Sequence, residues 1–129
     1  MSKFNEFKNL SVLYAEDDSE LREITTKTLQ LVVGHVFSVT DGTEALSVYE
    51  NNRIDIVILD IHMGSVSGID VAKSIRKSND KVPIVIVSGS IATQDLLEAC
   101  KLNLIEYMHK PIEFNALIKV LYLAVDRLK

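Results

Sequence analysis

The chain has 129 residues, the size of one ordinary domain, and is long enough to bury a core without disulfides or structural metal. With 47% hydrophobic and 25% charged residues it has neither the polarity of a disordered chain nor the bias of a coiled coil. A net charge of −4 and a pI near 5.3 argue against direct binding of nucleic acid, which favours clustered Lys and Arg.

The opening stretch "MSKFNEFKNL" lacks an apolar signal core, and no apolar run is long enough to cross a bilayer. A cytoplasmic location without membrane contact is the expectation, with room for a loose helical turn over residues 2–9. "LSVLYA" then reads as a first strand and runs into three consecutive carboxylates, Glu16, Asp17 and Asp18. The first helix is expected from Ser19 to about Val33, with Leu21, Ile24, Thr28, Leu31 and Val32 on one stripe, Ser19 or Asp18 as N-cap and Gly34 as the stop.

"HVFSV" is the second strand, and a second helix from Thr43 to Asn51 follows, where Asp41 and Glu44 have capping-box spacing. "IDIVILD" is the third strand, followed by a helix from Gly68 to Ser78. "VPIVIVS" is the fourth, followed by a helix from about Thr93 to Leu102. "LIEYMHK" is the fifth, and a last helix runs from Glu113 to the C-terminus. The single Cys100 cannot form an internal disulfide, and the fourth helix is expected to bury it as a core thiol. In the last helix Leu117, Val120, Leu121, Ala124 and Leu128 form a core stripe. Ile118, Tyr122 and Val125 lie beside it, either broadening the core face or forming a contact surface for a homodimer or a target.

The third and fourth strands are apolar on both faces, as parallel strands covered by helices on either side require. Five strands alternating with five helices predict an α/β, doubly wound, five-stranded parallel sheet of flavodoxin-like topology. In such sheets ligands bind at the carboxyl ends of the strands, where the strand order reverses. The polar residues that close the strands are therefore expected to converge: Glu16, Asp17 and Asp18, then Asp60, Ser88 and Lys110.

Asp60 alone could cap a turn, and Asp17 alone could cap a helix. Three acids at one rim repel one another unless a hard cation with oxygen ligands joins them. Magnesium suits the set, since it takes one or two carboxylates, keeps several waters and accepts a phosphate oxygen. Lys110 supplies an ammonium that can pair with Asp60 and then with a phosphoryl group, and Ser88 offers a hydroxyl donor. Such a set serves phosphoryl transfer to an aspartate by positioning and electrostatics.

From about Leu10 to Leu128 the chain resembles the receiver domain of a two-component response regulator, nearest in layout to the single-domain chemotaxis type. The resemblance rests on "VLYAEDD", "DIVILDIHMGSVSG", "PIVIVSGS" and "YMHKP", in that order and at normal spacing. It implies a receiver domain over residues 10–129 behind an N-terminal extension, residues 1–9. It further implies Asp60 as phosphoacceptor, Asp17 as direct Mg2+ ligand, Glu16 as a ligand through water, and the backbone carbonyl of His62 completing the metal site. Asp18 falls one place beyond the acidic pair and is expected to cap the helix. Ser88 and Tyr107 match the switch pair, and Lys110 is the lysine before a cis proline, Pro111. If Tyr107 is not a switch, it is an amphipathic strand tyrosine with its hydroxyl at the surface.

The sequence departs from the family pattern at Gly64, where proline is usual, which points to a more mobile loop. It departs again at Asn103 and Leu104, where a small Gly-Ala pair is usual; Asn can take the left-handed conformation there. In the geometry that the resemblance implies, His62 and Ser90 flank the route of an attacking water. With no second histidine at ligand spacing, a transition-metal site is not expected.

The implied function is a phosphorylation-controlled binding module and not an enzyme. A sensor histidine kinase is the donor, and a downstream protein target or an attached output domain is the receiver of the signal. Two alternatives are a phosphorylation-independent interaction scaffold and a Mg2+-dependent phosphohydrolase. The hydrolase typically carries a second Asp two places after the nucleophile, where this chain has His62.

Overall fold

The computed structural model describes residues 5–89 and 93–129. After a 3-10 turn, Asn5–Phe7, strands and helices alternate: β1 (Ser11–Ala15), α1 (Ser19–Gln30), β2 (His35–Val39), α2 (Gly42–Asn51), β3 (Ile56–Asp60), α3 (Gly68–Ser78), β4 (Ile84–Ser88), α4 (Thr93–Ala99), β5 (Glu106–His109) and α5 (Phe114–Leu128). All strand pairs are parallel and the order is β2-β1-β3-β4-β5, the doubly wound, flavodoxin-like sheet that the alternation predicts.

Alternate residues of a strand point to opposite faces, so each central strand feeds two cores. Val57, Leu59, Ile84 and Ile86 pack on one side with Ala45 of α2, Ala72 and Ile75 of α3 and Ala99 of α4. Ile56, Ile58, Val85 and Val87 pack on the other with Leu29 of α1 and Leu117, Val120, Leu121 and Ala124 of α5. Phe7 is fully buried in this second core and meets the ring of Tyr122 edge-on, with centroids 4.9 Å apart. Ile118 and Val125 also pack against it and widen the core face of α5, whereas Tyr122 between them is 40% exposed and Leu128, at 46%, leaves the expected core stripe.

Helix ends follow local chemistry. Asp18 is the N-cap of α1 and accepts the Leu21 N–H at 3.0 Å. Asp41 caps α2 by accepting the Glu44 N–H at 2.8 Å, while Glu44 reaches back to the Thr40 N–H, one residue earlier than a capping box requires. Ser67 and Asp70 form a complete capping box on α3.

Two helical expectations need correction. In α1 the buried residues are Thr25 and Leu29, while Ile24 is 57% and Leu31 81% exposed, because the helix ends at Gln30 and Leu31 lies in the closing turn. The fourth helix stops at Ala99 rather than Leu102, so Cys100 lies past its last turn and is exposed instead of buried. Of the expected turn over residues 2–9, Asn5–Phe7 forms, and residues 2–4 lie outside the described residues.

Beyond α4 the chain turns through Asn103 at φ 53°, the left-handed conformation open to Asn. Arg76 of α3 donates to the carbonyls of Leu102 at 2.6 Å and Asn103 at 3.0 Å, and Arg127 of α5 donates to that of Asn103 at 3.0 Å. Two helices thus hold one turn. Lys73 of α3 adds an ion pair to Glu98 of α4 at 2.6 Å.

Candidate functional site

In the strand order the connection from β1 runs outward to β2 and that from β3 runs outward to β4, so the tips of β1 and β3 flank the point of reversal. Glu16 follows β1, and its N–H donates to the Val39 carbonyl at 3.1 Å, carrying the ladder one residue past the strand. Asp60 and Ser88 are the last residues of β3 and β4. Lys110 follows β5, and its N–H donates to the Ser88 carbonyl at 2.9 Å. Gly68 opens α3 so close to Asp60 that a Cβ there would collide with the Asp60 carbonyl oxygen.

These tips bring together the acids that the sequence singles out. Carboxylate oxygens of Glu16, Asp17 and Asp60 all lie within 4.8 Å of one another. The Lys110 ammonium sits 2.8 Å from Glu16 Oε1 and 3.2 Å from Asp60 Oδ1. Glu16 and Asp60 are buried, at 1% and 3% exposure, and Asp17 is exposed. Glu16, Asp17, Asp18, Asp60, His62, Gly89 and Lys110 line one open cleft.

Burial pushes the Glu16 carboxyl above its ordinary range, against the pull of its hydrogen bonds from Lys110 and the Asp18 N–H. Burial also works against the Lys110 ammonium, but its hydrogen bond to Glu16 and the charges of Asp60 and Glu16 outweigh it and hold its pKa above the usual lysine value. One ammonium facing three carboxylates leaves the cluster anionic, with only hard oxygen donors. That donor set fits a small divalent cation such as magnesium. Both Glu16 oxygens are already engaged, Oε1 by Lys110 and Oε2 by the Asp18 N–H at 3.2 Å, whereas the Asp17 carboxylate has no hydrogen bond or ion pair among the described residues.

Ser88 is fully buried. The Tyr107 hydroxyl is buried too, in contrast to the surface position of an ordinary strand tyrosine. Among the described residues it makes no well-formed hydrogen bond, and the Ser88 hydroxyl lies near it. The Lys110–Pro111 peptide is cis, as the resemblance implies. His62 is exposed at the cleft, and Ser90 lies outside the described residues. Gly64 adopts φ 80°, which a proline ring cannot reach, so this loop takes a path closed to the usual residue.

Two residues around the site went unnoticed in the sequence. Arg22, in the first turns of α1, donates through Nη1 to the carbonyls of Glu16 at 2.9 Å and Asp17 at 3.4 Å. Its one signal is a cation five places after Asp17 on a helix that begins at the acidic turn. Tyr14, on the same strand face as Glu16, buries its hydroxyl without a well-formed hydrogen bond, and burial pushes the phenol up to about 12. A tyrosine within "VLYA" reads simply as strand.

The family model described as the response regulator receiver domain matches residues 12–122. The cell cycle response regulator CtrA of Brucella ovis is 29% identical over 120 residues, covering 93% of this chain and 52% of CtrA. The chain spans about half the length of the curated relatives it matches first, such as the transcriptional regulator ycf27 of Porphyridium aerugineum at 49%. A response regulator receiver domain protein from Clostridium thermocellum superposes with a TM-score of 0.86 at 26% identity, covering 92% of this chain and 96% of that one. The receiver domain of the Francisella response regulator 1452 gives 0.81 at 30% identity, covering 94% and 100%.

Proposed function

The chain belongs to the response regulator receiver family, and from that premise we propose that it takes a phosphoryl group onto Asp60 from a sensor histidine kinase and relays the event through a protein-binding face. One set of contacts carries the reading: Lys110 bridges Glu16 and Asp60, with the Asp17 carboxylate beside them.

An Asp60 carboxylate oxygen forms the new O–P bond as the donor's P–N bond breaks, leaving an acyl phosphate on Asp60 and a free imidazole on the kinase. Half-buried between Glu16 and Asp60, the Lys110 ammonium is poised to exchange a carboxylate oxygen for a phosphoryl oxygen. The Ser88 hydroxyl donates to another phosphoryl oxygen. Its departure from the neighbourhood of the Tyr107 hydroxyl changes the packing between β5 and α4, which is the switch. Asp17, Asp60 and the His62 carbonyl would hold a magnesium ion directly, and Glu16 through water because its own oxygens are engaged. When bound, that ion supplies a Lewis acid that neutralises charge on the phosphoryl oxygens. A downstream protein or an attached output domain reads the altered face.

The test is treatment with a small phosphodonor and Mg2+, read by intact mass. Wild type is expected to gain one phosphoryl group, labile to base, and Asp60→Asn none. Equal labelling of the two proteins would reject Asp60 as the acceptor.

A further inference from the structure

Glu16 and Asp17 present consecutive backbone carbonyls, and the Arg22 guanidinium binds both, while the Asp18 carbonyl takes the first main-chain bond of the helix. Its Nη1 donates to the Glu16 carbonyl at 2.9 Å and to the Asp17 carbonyl at 3.4 Å, and its own backbone N–H donates to the Asp18 carbonyl at 2.9 Å. Among the described residues this guanidinium forms no ion pair, and its side-chain hydrogen bonds go to main-chain carbonyls. Its donors serve the main chain of the acidic turn.

The consequence falls on Asp17. Glu16 is fixed by its side chain, through Lys110 and the Asp18 N–H. Asp18 is fixed by its bond to the Leu21 N–H. The Asp17 carboxylate has no such anchor, so its approach to Glu16 and Asp60 depends on where the backbone holds it.

We propose that Arg22 is a positioning residue for the metal site: it clamps the turn carbonyls and so pre-sets the Asp17 carboxylate for a divalent cation. This rests on the metal reading given above. Two effects of the guanidinium oppose each other. Its positive charge repels a cation, whereas its clamp removes the freedom that binding would otherwise have to freeze. The inference is that the clamp wins, which fixes the sign of the experiment.

Calorimetric titration of the full chain with Mg2+ alone, in the absence of phosphodonor, tests it. Arg22→Gln is expected to weaken Mg2+ affinity about tenfold, as loss of groups that orient metal ligands generally does. Arg22→Lys keeps the charge but replaces the planar fork with a single rotating ammonium, and is expected to lose about threefold. Saturating Mg2+ should return the phosphoryl uptake of Arg22→Lys to the wild-type rate. Affinity equal to or above wild type in either folded variant overturns the inference, even where the melting temperature has dropped, because a merely structural role moves only the latter. Should Arg22→Gln fail to fold, Arg22→Lys decides alone. Absence of saturable binding in wild type would instead overturn the metal reading, and this inference with it.

Discussion

The two ends of the parallel sheet hold their charges in opposite ways. At the carboxyl end three carboxylates face one ammonium, and the two buried acids share it. At the amino end Arg76 and Arg127 direct their donors to the carbonyls of Leu102, Asn103 and Asn79. The neutral carbonyls satisfy the guanidinium donors without cancelling their charge, and burial together with the neighbouring Arg127 lowers the Arg76 pKa. Crowded acids stay in need of positive charge whatever their hydrogen bonds. The amino end is therefore built to hold elements together, and the carboxyl end to receive something.

The strongest way to break this contrast is to remove the lone ammonium. Lys110→Met leaves Glu16 and Asp60 buried without a counter-charge, at a cost of about 3 kcal/mol in urea unfolding without metal. Added Mg2+ should recover part of that loss. Arg76→Ala at the other end forfeits three bonds to carbonyls and should cost about 2 kcal/mol. Mg2+ should recover none of it, and phosphoryl uptake should be unchanged; recovery by Mg2+ in both variants would erase the distinction between the ends.

A smaller effect is expected at Tyr14, whose buried hydroxyl lacks a well-formed partner. Tyr14→Phe removes that group and should raise stability at neutral pH by about 1 kcal/mol. The pH profile sharpens the point. Burial pushes the phenol from 10.0 to about 12, so the folded protein keeps a proton that the unfolded chain has lost. Stability must then fall as pH rises through that window, and Tyr14→Phe should flatten the fall. Lys110 is common to both proteins, so the difference between the two curves isolates Tyr14.

The sheet was legible because its strands are short, apolar and β-branched, and because strict alternation leaves few topologies. The caps at Asp18 and Ser67 are governed by local chemistry, and so is the left-handed turn at Asn103. The burial of α1 was harder to read. Thr25 occupies the middle of its inward face, and Ile24 and Leu31 point outward, so the apolar letters mark the wrong side. Cys100 was misplaced because the helix ends at Ala99, ahead of the left-handed turn at Asn103, and leaves the thiol exposed. At the site, the spacing of polar strand ends indicated which side chains converge. It said nothing of Arg22, because its acceptors are main-chain carbonyls, which every residue carries alike.

Phe7 has a practical bearing on where this domain begins. The family match starts at Val12, but the aromatic plug that closes the sheet's second layer comes from upstream of it. Trimming the chain to the matched segment would uncork that layer, strip Tyr122 of its partner and open a hollow beside α5.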